Sequence, residues 1–271
     1  MRRLLLILAM LPGVVLPRPV APTAAPATES PRTLVLCFED SDVLPWRTRD
    51  KVGLNFVMLE AVAARSGLRF EYLGRPWRRC HDDLRAGRVD GTFGMSVTPE
   101  RQAFAAFPGG ETPDASRRMF EGGYVLVRRR GDSVDYNGQR IVGLVGPIGA
   151  EPATSIAQDL RRQGYPVDDA APNPQALLRK LAAGRLGAAA VGTDQMHQLH
   201  QQDHPWLVEL EVVERPLVEK PYFLALSKPL VAKHPELARR VWQAVAEVRE
   251  SEAYQTELAR MRGQPAAGSP P

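Results

Sequence analysis

The chain has 271 residues, of which 44% are hydrophobic and 24% are charged. This composition excludes a disordered or fibrous protein, and at about 150 residues per domain the length predicts one or two globular domains. The 35 Lys and Arg residues outnumber the 31 Asp and Glu residues and give a formal charge of +4, which would suit nucleic acid or a membrane surface if the whole chain were retained.

The first 27 residues predict a secretory signal peptide. Two arginines precede an apolar run over residues 4–16, and Ala25 and Ala27 supply small residues for cleavage. The run is shorter than the roughly 20 residues that span a bilayer. Removal of residues 1–27, which hold 3 Arg and no acid, leaves 32 basic against 31 acidic residues, a charge of +1. We therefore expect a soluble protein outside the cytoplasm that does not bind nucleic acid.

The chain contains two cysteines, Cys37 and Cys80. An oxidising compartment permits a disulfide between them. The alternative is a pair of buried thiols, which behave as small apolar side chains. A bridge needs Cα atoms within about 7 Å of each other. That distance depends on the fold, so the sequence leaves both interpretations open.

Strand and helix signals alternate through the first half of the chain. The predicted strands are residues 34–38, 69–73 and 89–95. Asn55 is placed to cap the helix after the first strand, and Gly67 is placed to end it. A second helix opens at Trp77 and ends at Gly87. This alternation predicts an α/β fold with a largely parallel sheet.

A short internal echo predicts that the arrangement occurs twice. Residues 84–91 (Leu-Arg-Ala-Gly-Arg-Val-Asp-Gly) recur as residues 181–188 (Leu-Ala-Ala-Gly-Arg-Leu-Gly-Ala). In each copy a glycine ends a helix and an apolar strand follows, which predicts two similarly built α/β lobes. Residues 141–145 predict a further strand, and residues 146–149 (Gly-Pro-Ile-Gly) predict the turn after it. A long helix with apolar residues at helical spacing follows near the C-terminus.

The segment Gly91-Thr-Phe-Gly-Met-Ser-Val-Thr-Pro-Glu-Arg101 carries chemistry of its own. A predicted strand ends at Met95, and Thr98 is placed to cap the next helix with Pro99 at its first position. Arg101 then lies in the first helical turn. Free N–H groups at a helix start, together with a guanidinium fork, suit a carboxylate.

This segment resembles the type 2 periplasmic solute-binding proteins, in particular the amino-acid-binding branch (family 3) that serves ABC importers. The resemblance extends through both flanks and covers nearly all of residues 33–262. It implies two α/β lobes, each a largely parallel sheet flanked by helices, joined by two crossing strands with the ligand in the cleft between them. The implied parts are crossings at 123–129 and 222–227, lobe 1 at 33–125 plus 224–262, lobe 2 at 126–223, and a disordered tail at 263–271.

The resemblance also implies a carboxylate site. In the family, the Arg at this place binds the α-carboxylate of the ligand and the Ser before it assists. Here these residues are Arg101 and Ser96, with Gly94 in the same segment. We expect Trp46 and Trp77 to wall the cleft, since aromatic faces provide apolar area and can hold cations. The alternative for each is a place in the hydrophobic core.

Other implied positions depart from the family pattern. Asp40, or its neighbour Glu39, stands where several members use an acid to contact a polar ligand end. In lobe 2 the family commonly provides a Thr or Ser hydroxyl, whereas this chain offers only backbone groups around Gly149. The family's Asp for the α-ammonium group is replaced by Gly192. Either Asp194 substitutes for it, or the ligand lacks an α-amino group.

Three histidines, His197, His200 and His204, share one helical face, a spacing that could hold a transition metal. A polar exposed helix is the simpler interpretation, and we expect neither a metal nor another cofactor. The chain lacks P-loop, Cys-x-x-Cys, His-Glu-x-x-His and Gly-x-Ser-x-Gly motifs.

The sequence therefore favours a periplasmic binding protein, expected to be a monomer and not an enzyme. We expect its ligand to be a small carboxylate-bearing compound, an amino acid or a related molecule, which it delivers to the membrane subunits of an ABC importer. One alternative is a dehydratase-like periplasmic enzyme on the same scaffold, with Glu39, Asp40 and His81 as the available acids or bases. The other is a ligand-binding input to a membrane sensor.

Overall fold

The computed structural model describes residues 32–202 and 204–262. The predicted signal peptide and the predicted tail lie outside the described residues. The strands are β1 (Thr33–Glu39), β2 (Arg69–Arg75), β3 (Gly91–Ser96), β4 (Ala105–Ala106), β5 (Phe120–Arg129), β6 (Asp135–Tyr136), β7 (Ile141–Val142), β8 (Ile148–Gly149), β9 (Val167–Asp168), β10 (Ala188–Gly192), β11 (Leu210–Val212) and β12 (Val218–Ser227). The helices are α1 (Leu54–Ser66), α2 (Trp77–Arg85), α3 (Pro99–Gln102), α4 (Ser155–Arg162), α5 (Pro174–Ala182), α6 (Thr193–Gln201), α7 (Lys228–Lys233), α8 (Pro235–Arg249) and α9 (Glu252–Met261), with short 3-10 helices at Ala115–Arg117 and Pro205–Glu209.

Most strands join one sheet in the order β2-β1-β3-β12-β5-β10-β8-β9, with β4 against β12 and β11 against β5. Strands β2, β1 and β3 are parallel at one end, and β10, β8 and β9 are parallel at the other. Between them, β12 and β5 are antiparallel to each other and to their outer neighbours. These two strands coincide with the predicted crossings. The α/β fold with two crossing strands is confirmed, and antiparallel pairing is concentrated where they cross.

Buried apolar side chains form separate groups on the two sides of the crossing strands. The first core group comes from residues 34–120 and 223–254, and the second from residues 124–213. Helix α8 illustrates how such a group forms, because Leu237, Val241 and Val248 recur at helical spacing on its buried face. Burial of each such side chain contributes about 1.5–3 kcal/mol. We propose that the two groups are the cores of the predicted lobes.

Several local predictions are confirmed. Gly67 ends α1 with a φ of 66°. Gly87 and Gly184, the equivalent glycines of the echo, have φ values of 65° and 72°, a left-handed conformation that glycine adopts without strain. Thr98 caps α3, since its Oγ1 accepts a hydrogen bond from the backbone N–H of Arg101 at 3.2 Å. None of the helices in the described part of the chain is long and apolar enough to cross a membrane.

Two local predictions are wrong. Gly53, not Asn55, occupies the N-cap position of α1. Asn55 is instead buried in the first turn, and its side-chain atoms have no hydrogen-bond partner. The strand predicted at 141–145 covers only Ile141–Val142 and pairs with β6, because Gly143 turns the chain with a φ of 67°. The predicted turn after it contains β8, a strand of the main sheet.

Cys37 of β1 and Cys80 of α2 form a disulfide with their Cα atoms 5.6 Å apart. Both residues are fully buried. Of the two interpretations that the sequence leaves open, the bridge is the one observed. The bridge fixes α2 against the end of β1, whose last residue, Glu39, lines the cavity described below.

Candidate functional site

A cavity of about 80 Å³ lies beside the crossing strands, and residues from both sides of these strands line it. The residues on the side of the first core group are Glu39, Val43, Trp46, Arg47, Trp77, Phe93, Gly94 and Arg101. Those on the other side are Glu151, Thr154, Gly192, Thr193, Asp194 and Gln195, and the crossing strands add Phe120, Gly122, Gly123, Tyr124 and Tyr222.

Two consecutive glycines let the crossing strands approach each other at the cavity. A Cβ atom at Gly123 would lie 2.7 Å from the carbonyl oxygen of Val218, and one at Gly122 would lie 3.0 Å from the ring of Tyr222. No heavier residue fits at Gly123 without a backbone shift, because that neighbour is backbone. The close pairing of β5 and β12 therefore depends on this dipeptide.

The guanidinium of Arg101 is buried in the cavity wall, with 2% of the residue exposed. Its Nη1 donates to the carbonyl and hydroxyl oxygens of Ser96 at 2.8 and 3.0 Å, and its Nη2 donates to the carbonyl oxygen of Ala153 at 2.9 Å. All of these partners are uncharged, and Nε is buried without a partner. Within the described part of the chain, this buried cation has no hydrogen-bonded counterion.

Ser96 joins the two sides of the cavity through hydrogen bonds. Its hydroxyl donates to Oγ of Ser155, the first residue of α4, at 2.9 Å. Lys220 Nζ donates to the same Ser155 oxygen at 3.1 Å and to Oδ2 of Asp159 at 2.6 Å. Because Ser96 is fully buried and engaged with Arg101 and Ser155, its hydroxyl positions the guanidinium.

Aromatic rings form one wall. Trp46 stacks on Phe120 with centroids 4.0 Å apart, and Phe120 stacks on Tyr222 with centroids 5.0 Å apart. Trp46 Nε1 also donates to Oδ2 of Asp194 at 2.6 Å, a bond across the cavity. Trp77 lies with its ring centroid 5.9 Å from Cζ of Arg101. The wall thus offers apolar faces next to fixed polar groups, as small-molecule sites do.

Three carboxylates line the cavity: Glu39, Glu151 and Asp194, which we call the acidic group. Glu39 forms a salt bridge with Arg47. Asp194, in the first turn of α6, holds the indole N–H of Trp46. The side chain of Glu151 forms a hydrogen bond with the neutral amide of Gln195.

Glu151 is the most perturbed member of the acidic group. The residue is 7% exposed. Burial, and then the charge of Glu39, raise the pKa of Glu151 to about 8, against smaller opposing effects of Gln195 and Arg47. A carboxyl group in this state is largely protonated at neutral pH.

The family was identified by comparison with known proteins. Residues 40–261 match the model of the bacterial extracellular solute-binding proteins, family 3. The chain belongs to this family. No curated protein sequence matches the chain.

Solved structures share the fold of this solute-binding protein. One is a histidine kinase sensor domain with similarity to periplasmic binding proteins, with a TM-score of 0.69 and 23% identity over 87% of this chain and 99% of that chain. Another is the arginine-, lysine-, histidine-binding protein ArtJ from Geobacillus stearothermophilus, with a TM-score of 0.67 and 20% identity over 85% and 96%. A third is the GluR0 ligand-binding core from Nostoc punctiforme in complex with (L)-glutamate, with a TM-score of 0.64 and 17% identity over 84% and 98%. At these identities the likeness shows the type 2 periplasmic binding fold alone.

The cavity of the solute-binding protein brings together seven of the residues singled out in the sequence: Glu39, Trp46, Trp77, Gly94, Arg101, Gly192 and Asp194. Gly94 has a φ of 70°, so a glycine suits this bend at the cavity wall. Ser96 lies behind Arg101 and contacts it, without lining the cavity itself.

Two predicted contact residues lie elsewhere. Asp40 follows the last residue of β1 and is exposed outside the cavity wall, which contains its neighbour Glu39 instead. Gly149 lies in β8, where a Cβ atom would come within 2.4 Å of the side chain of Leu177. It is a packing glycine, and the chain reaches the cavity only at Glu151 and Thr154.

The histidines of the sequence analysis do not line the cavity, although the ring of His81 lies 4.5 Å from that of Trp77 in its wall. His81 is 6% exposed, and burial, followed by Arg101 and two other arginines, lowers its pKa to about 3, so the ring is neutral. His197 contacts Gln201, and His204 stacks on Trp206. The described residues contain no group of three acidic, His or Cys side chains arranged to hold a metal.

Sequence reasoning missed the residues that give the cavity its charge balance, above all Glu151 and Arg47. Glu151 follows β8 by two positions, but the assignment of residues 146–149 as a turn hid the strand and therefore the loop after it. Arg47 adjoins Trp46, and its pairing with Glu39 depends on how the loop after β1 folds back. The glycine pair Gly122-Gly123 carried a visible signal, since two consecutive glycines inside a strand mark a bend or a close approach of the backbone.

Proposed function

We propose that this protein captures a small carboxylate-bearing ligand, an amino acid or a related compound, and delivers it to the membrane subunits of an ABC importer. It acts in the periplasm as a monomer, with the ligand held in the cavity beside the crossing strands. The single observation that carries the proposal is the buried guanidinium of Arg101, which lines the cavity with no hydrogen-bonded counterion among the described residues.

The energetics of that guanidinium support an anionic ligand. Burial of a charge is costly unless it is paired and hydrogen-bonded. Neutral oxygens of Ser96 and Ala153 fix the orientation of Arg101, but neither of them brings a negative charge into contact with it. A carboxylate of the ligand would supply the missing charge and accept charge-assisted hydrogen bonds from the planar fork.

The two sides of the cavity support capture by closure. Arg101 binds a carbonyl oxygen from each side, Ser96 O and Ala153 O, so its geometry requires both sides to be close together. A ligand that contacts both sides binds the closed arrangement better than an open one and shifts the population towards it. Such a change of shape is what an importer could distinguish.

The proposal is tested by binding measurements against a panel of amino acids and small carboxylates. A ligand at 100 times its Kd stabilises the folded protein by about 2.7 kcal/mol. For a chain of this size, that energy corresponds to a rise in melting temperature of about 5–10 °C. We expect one chemical class in the panel to produce such a rise.

Arg101→Ala should abolish that rise, whereas Arg65→Ala, which removes an exposed arginine paired with Glu247, should preserve it. Isothermal titration with the folded variant, checked by circular dichroism, separates loss of binding from loss of fold. If no member of the panel binds at millimolar concentration, small-carboxylate capture is wrong.

A specific observation favours a second candidate function, an enzyme on the same scaffold. A buried carboxyl that stays protonated at neutral pH can act as a general acid, and Glu151 is in this state inside the cavity. Incubation with prephenate or arogenate and analysis of the products distinguishes the functions. Product formation that Glu151→Gln abolishes would favour the enzyme, and recovery of unchanged bound ligand would favour the carrier.

A further inference from the structure

Lys220 lies on the crossing strand β12, and its side chain is mostly buried, with 13% exposed. Its Nζ donates to Oδ2 of Asp159 at 2.6 Å and to Oγ of Ser155 at 3.1 Å. Both partners belong to α4 and lie four residues apart, so they share one face of that helix. Neither Lys220 nor Ser155 lines the cavity, so neither touches a ligand held there.

The hydroxyl group of Ser155 connects Lys220 to the other side of the cavity. Its oxygen also accepts a hydrogen bond from the hydroxyl of Ser96 on β3 at 2.9 Å. The oxygen of Ser96 in turn accepts from Nη1 of Arg101 at 3.0 Å. Both serines are buried, so water does not compete for these bonds. A continuous chain of hydrogen bonds therefore runs from Lys220 to the guanidinium in the cavity wall.

The ammonium group sets the direction of the hydrogen bonds at Ser155. An ammonium group can only donate, and a hydroxyl group has one hydrogen and two lone pairs. The oxygen of Ser155 accepts from both Lys220 and Ser96. Its own hydrogen is therefore left for the hydroxyl of Tyr124 on β5, which is its third partner. All the hydrogen-bonding capacity of Ser155 is used, and this holds its side chain in one rotamer.

Arg101 depends on this chain for one of its three hydrogen bonds. Without Lys220, the hydroxyl of Ser155 loses its charged donor and is free to turn to another staggered rotamer. Ser96 then loses the partner that holds its hydroxyl beside the guanidinium. Arg101 would keep only the carbonyl oxygens of Ser96 and Ala153, at 2.8 and 2.9 Å.

We infer that Lys220 is a positioning residue for the ligand: it fixes Ser155, which through Ser96 holds the guanidinium of Arg101 in the orientation that receives a carboxylate. The inference rests on the proposed function and adds a residue that acts on the ligand without touching it. The bond between Ser155 and Ser96 joins the two sides of the cavity. Lys220 holds the Ser155 end of that bond in place, which lowers the entropy that closing and binding cost.

The test measures binding of L-glutamate, L-glutamine, L-arginine and succinate by titration calorimetry, and it continues with the probe that binds the parent chain most tightly. Lys220→Met keeps the apolar stem and removes the ammonium group. We expect affinity to fall about tenfold or more, as loss of a hydrogen bond to a charged group does. Ser155→Ala should cause a similar fall, although Ser155 does not line the cavity.

The matched control is Lys180→Met, which should leave affinity unchanged. It removes a half-buried lysine that donates to both carboxylate oxygens of Asp168, at 2.7 and 2.6 Å, outside the cavity wall. The control therefore breaks a comparable ion pair without breaking the chain to Arg101. Circular dichroism establishes that each variant is folded. Ser155→Ala removes a single oxygen, so it decides the test if Lys220→Met does not fold.

The double variant Lys220→Met, Ser155→Ala separates positioning from a general effect on the fold. If Lys220 acts through Ser155, the double variant should bind no more weakly than Lys220→Met alone, because the second change breaks a chain that is already broken. A merely structural effect, or a direct effect of the lysine charge on the probe, would instead make the two losses add.

Additive losses, or an unchanged affinity in Ser155→Ala, would overturn the inference. If Arg101→Ala abolishes binding in the same experiments, the proposed function stands without it. If neither these probes nor any other small carboxylate binds the parent chain, both are removed.

Discussion

At the scale of single residues, some side chains of the site have partners for all their polar groups, whereas others lack a partner of opposite charge. The indole N–H of Trp46 has a charged acceptor, and its ring has a stacking partner in Phe120. The guanidinium of Arg101 is held in one orientation, but all its hydrogen-bond partners are neutral oxygens, so none of them carries a balancing negative charge. We expect side chains such as Trp46, whose polar groups have partners, to hold the cavity wall in place. We expect a ligand to gain binding energy at groups such as Arg101 that lack a charged partner.

Trp46→Phe tests this distinction, because it keeps the ring stack and removes the hydrogen bond to Asp194. Loss of a hydrogen bond to a charged group costs about 1.5–3 kcal/mol. We expect ligand affinity, measured by titration calorimetry, to fall at least about tenfold. The matched control is Trp206→Phe, at a tryptophan outside the cavity wall. An affinity that stays the same or rises would mean that Asp194 prefers the ligand to the indole.

At the scale of elements, the disulfide connects the start of the sheet to the helix that carries Trp77. Cys37 lies in β1, which leads directly to Glu39, and Cys80 lies one turn after Trp77 in α2. The bridge therefore ties together two elements that place residues in the cavity wall. Its chemistry also suits an oxidising compartment, in agreement with the location we propose.

Removal of the bridge should lower the free energy of unfolding. It closes a loop with a sequence separation of 43 residues, for which chain entropy predicts a contribution of up to about 4 kcal/mol. We expect the Cys37→Ala, Cys80→Ala double variant to melt about 8–16 °C lower than the parent chain. Calorimetry of the parent chain with and without reductant provides the control. A double variant with an unchanged melting temperature would contradict the prediction.

The elements also show what sequence reasoning could reach. The cap at Thr98 and the glycine ends at Gly87 and Gly184 are local signals, because the side chains and dihedral angles that decide them lie within a few residues. Pairing of β8 with β9 and β10 is not local, since two short strands gain their hydrogen bonds from distant segments. The position of Glu151 depends on that pairing. For this reason Arg101, Glu39 and Asp194 could be singled out from the sequence, whereas Glu151 could not.

At the scale of the whole molecule, polar contacts bridge the two sides of the cavity outside the ligand position. Arg162 of α4 donates to both carboxylate oxygens of Glu100 at 2.7 and 2.8 Å, and Thr98 donates to Gln158 at 3.0 Å. We propose that these contacts form when the lobes close and are lost when they open. They would then stabilise the closed state independently of the ligand.

Glu100→Ala should weaken ligand binding through the closing equilibrium. The pair is exposed, with side-chain accessibilities of 42% and 44%, and such pairs contribute about 0.2–1 kcal/mol. We expect affinity to fall by up to about fivefold at low salt, and the difference to shrink at high salt. Arg161→Ala, which breaks a salt bridge with Asp169 on one side of the cavity, should leave affinity unchanged. A rise in the radius of gyration of ligand-free Glu100→Ala, measured by X-ray scattering, would support opening, and an unchanged affinity at low salt would exclude the contribution.

The glycine pair of β5 has a consequence for how specificity could change in this protein. Gly122 and Gly123 line the cavity and also lie in the strand that must bend if the lobes move. The place where the chain flexes and the place where it meets the ligand are therefore the same short stretch of backbone. A side chain added there would reshape the pocket and stiffen the joint in one step. New ligand preferences should consequently arise on the flanking loops, around Glu151 and Asp194, where side chains can be exchanged while the joint is left intact.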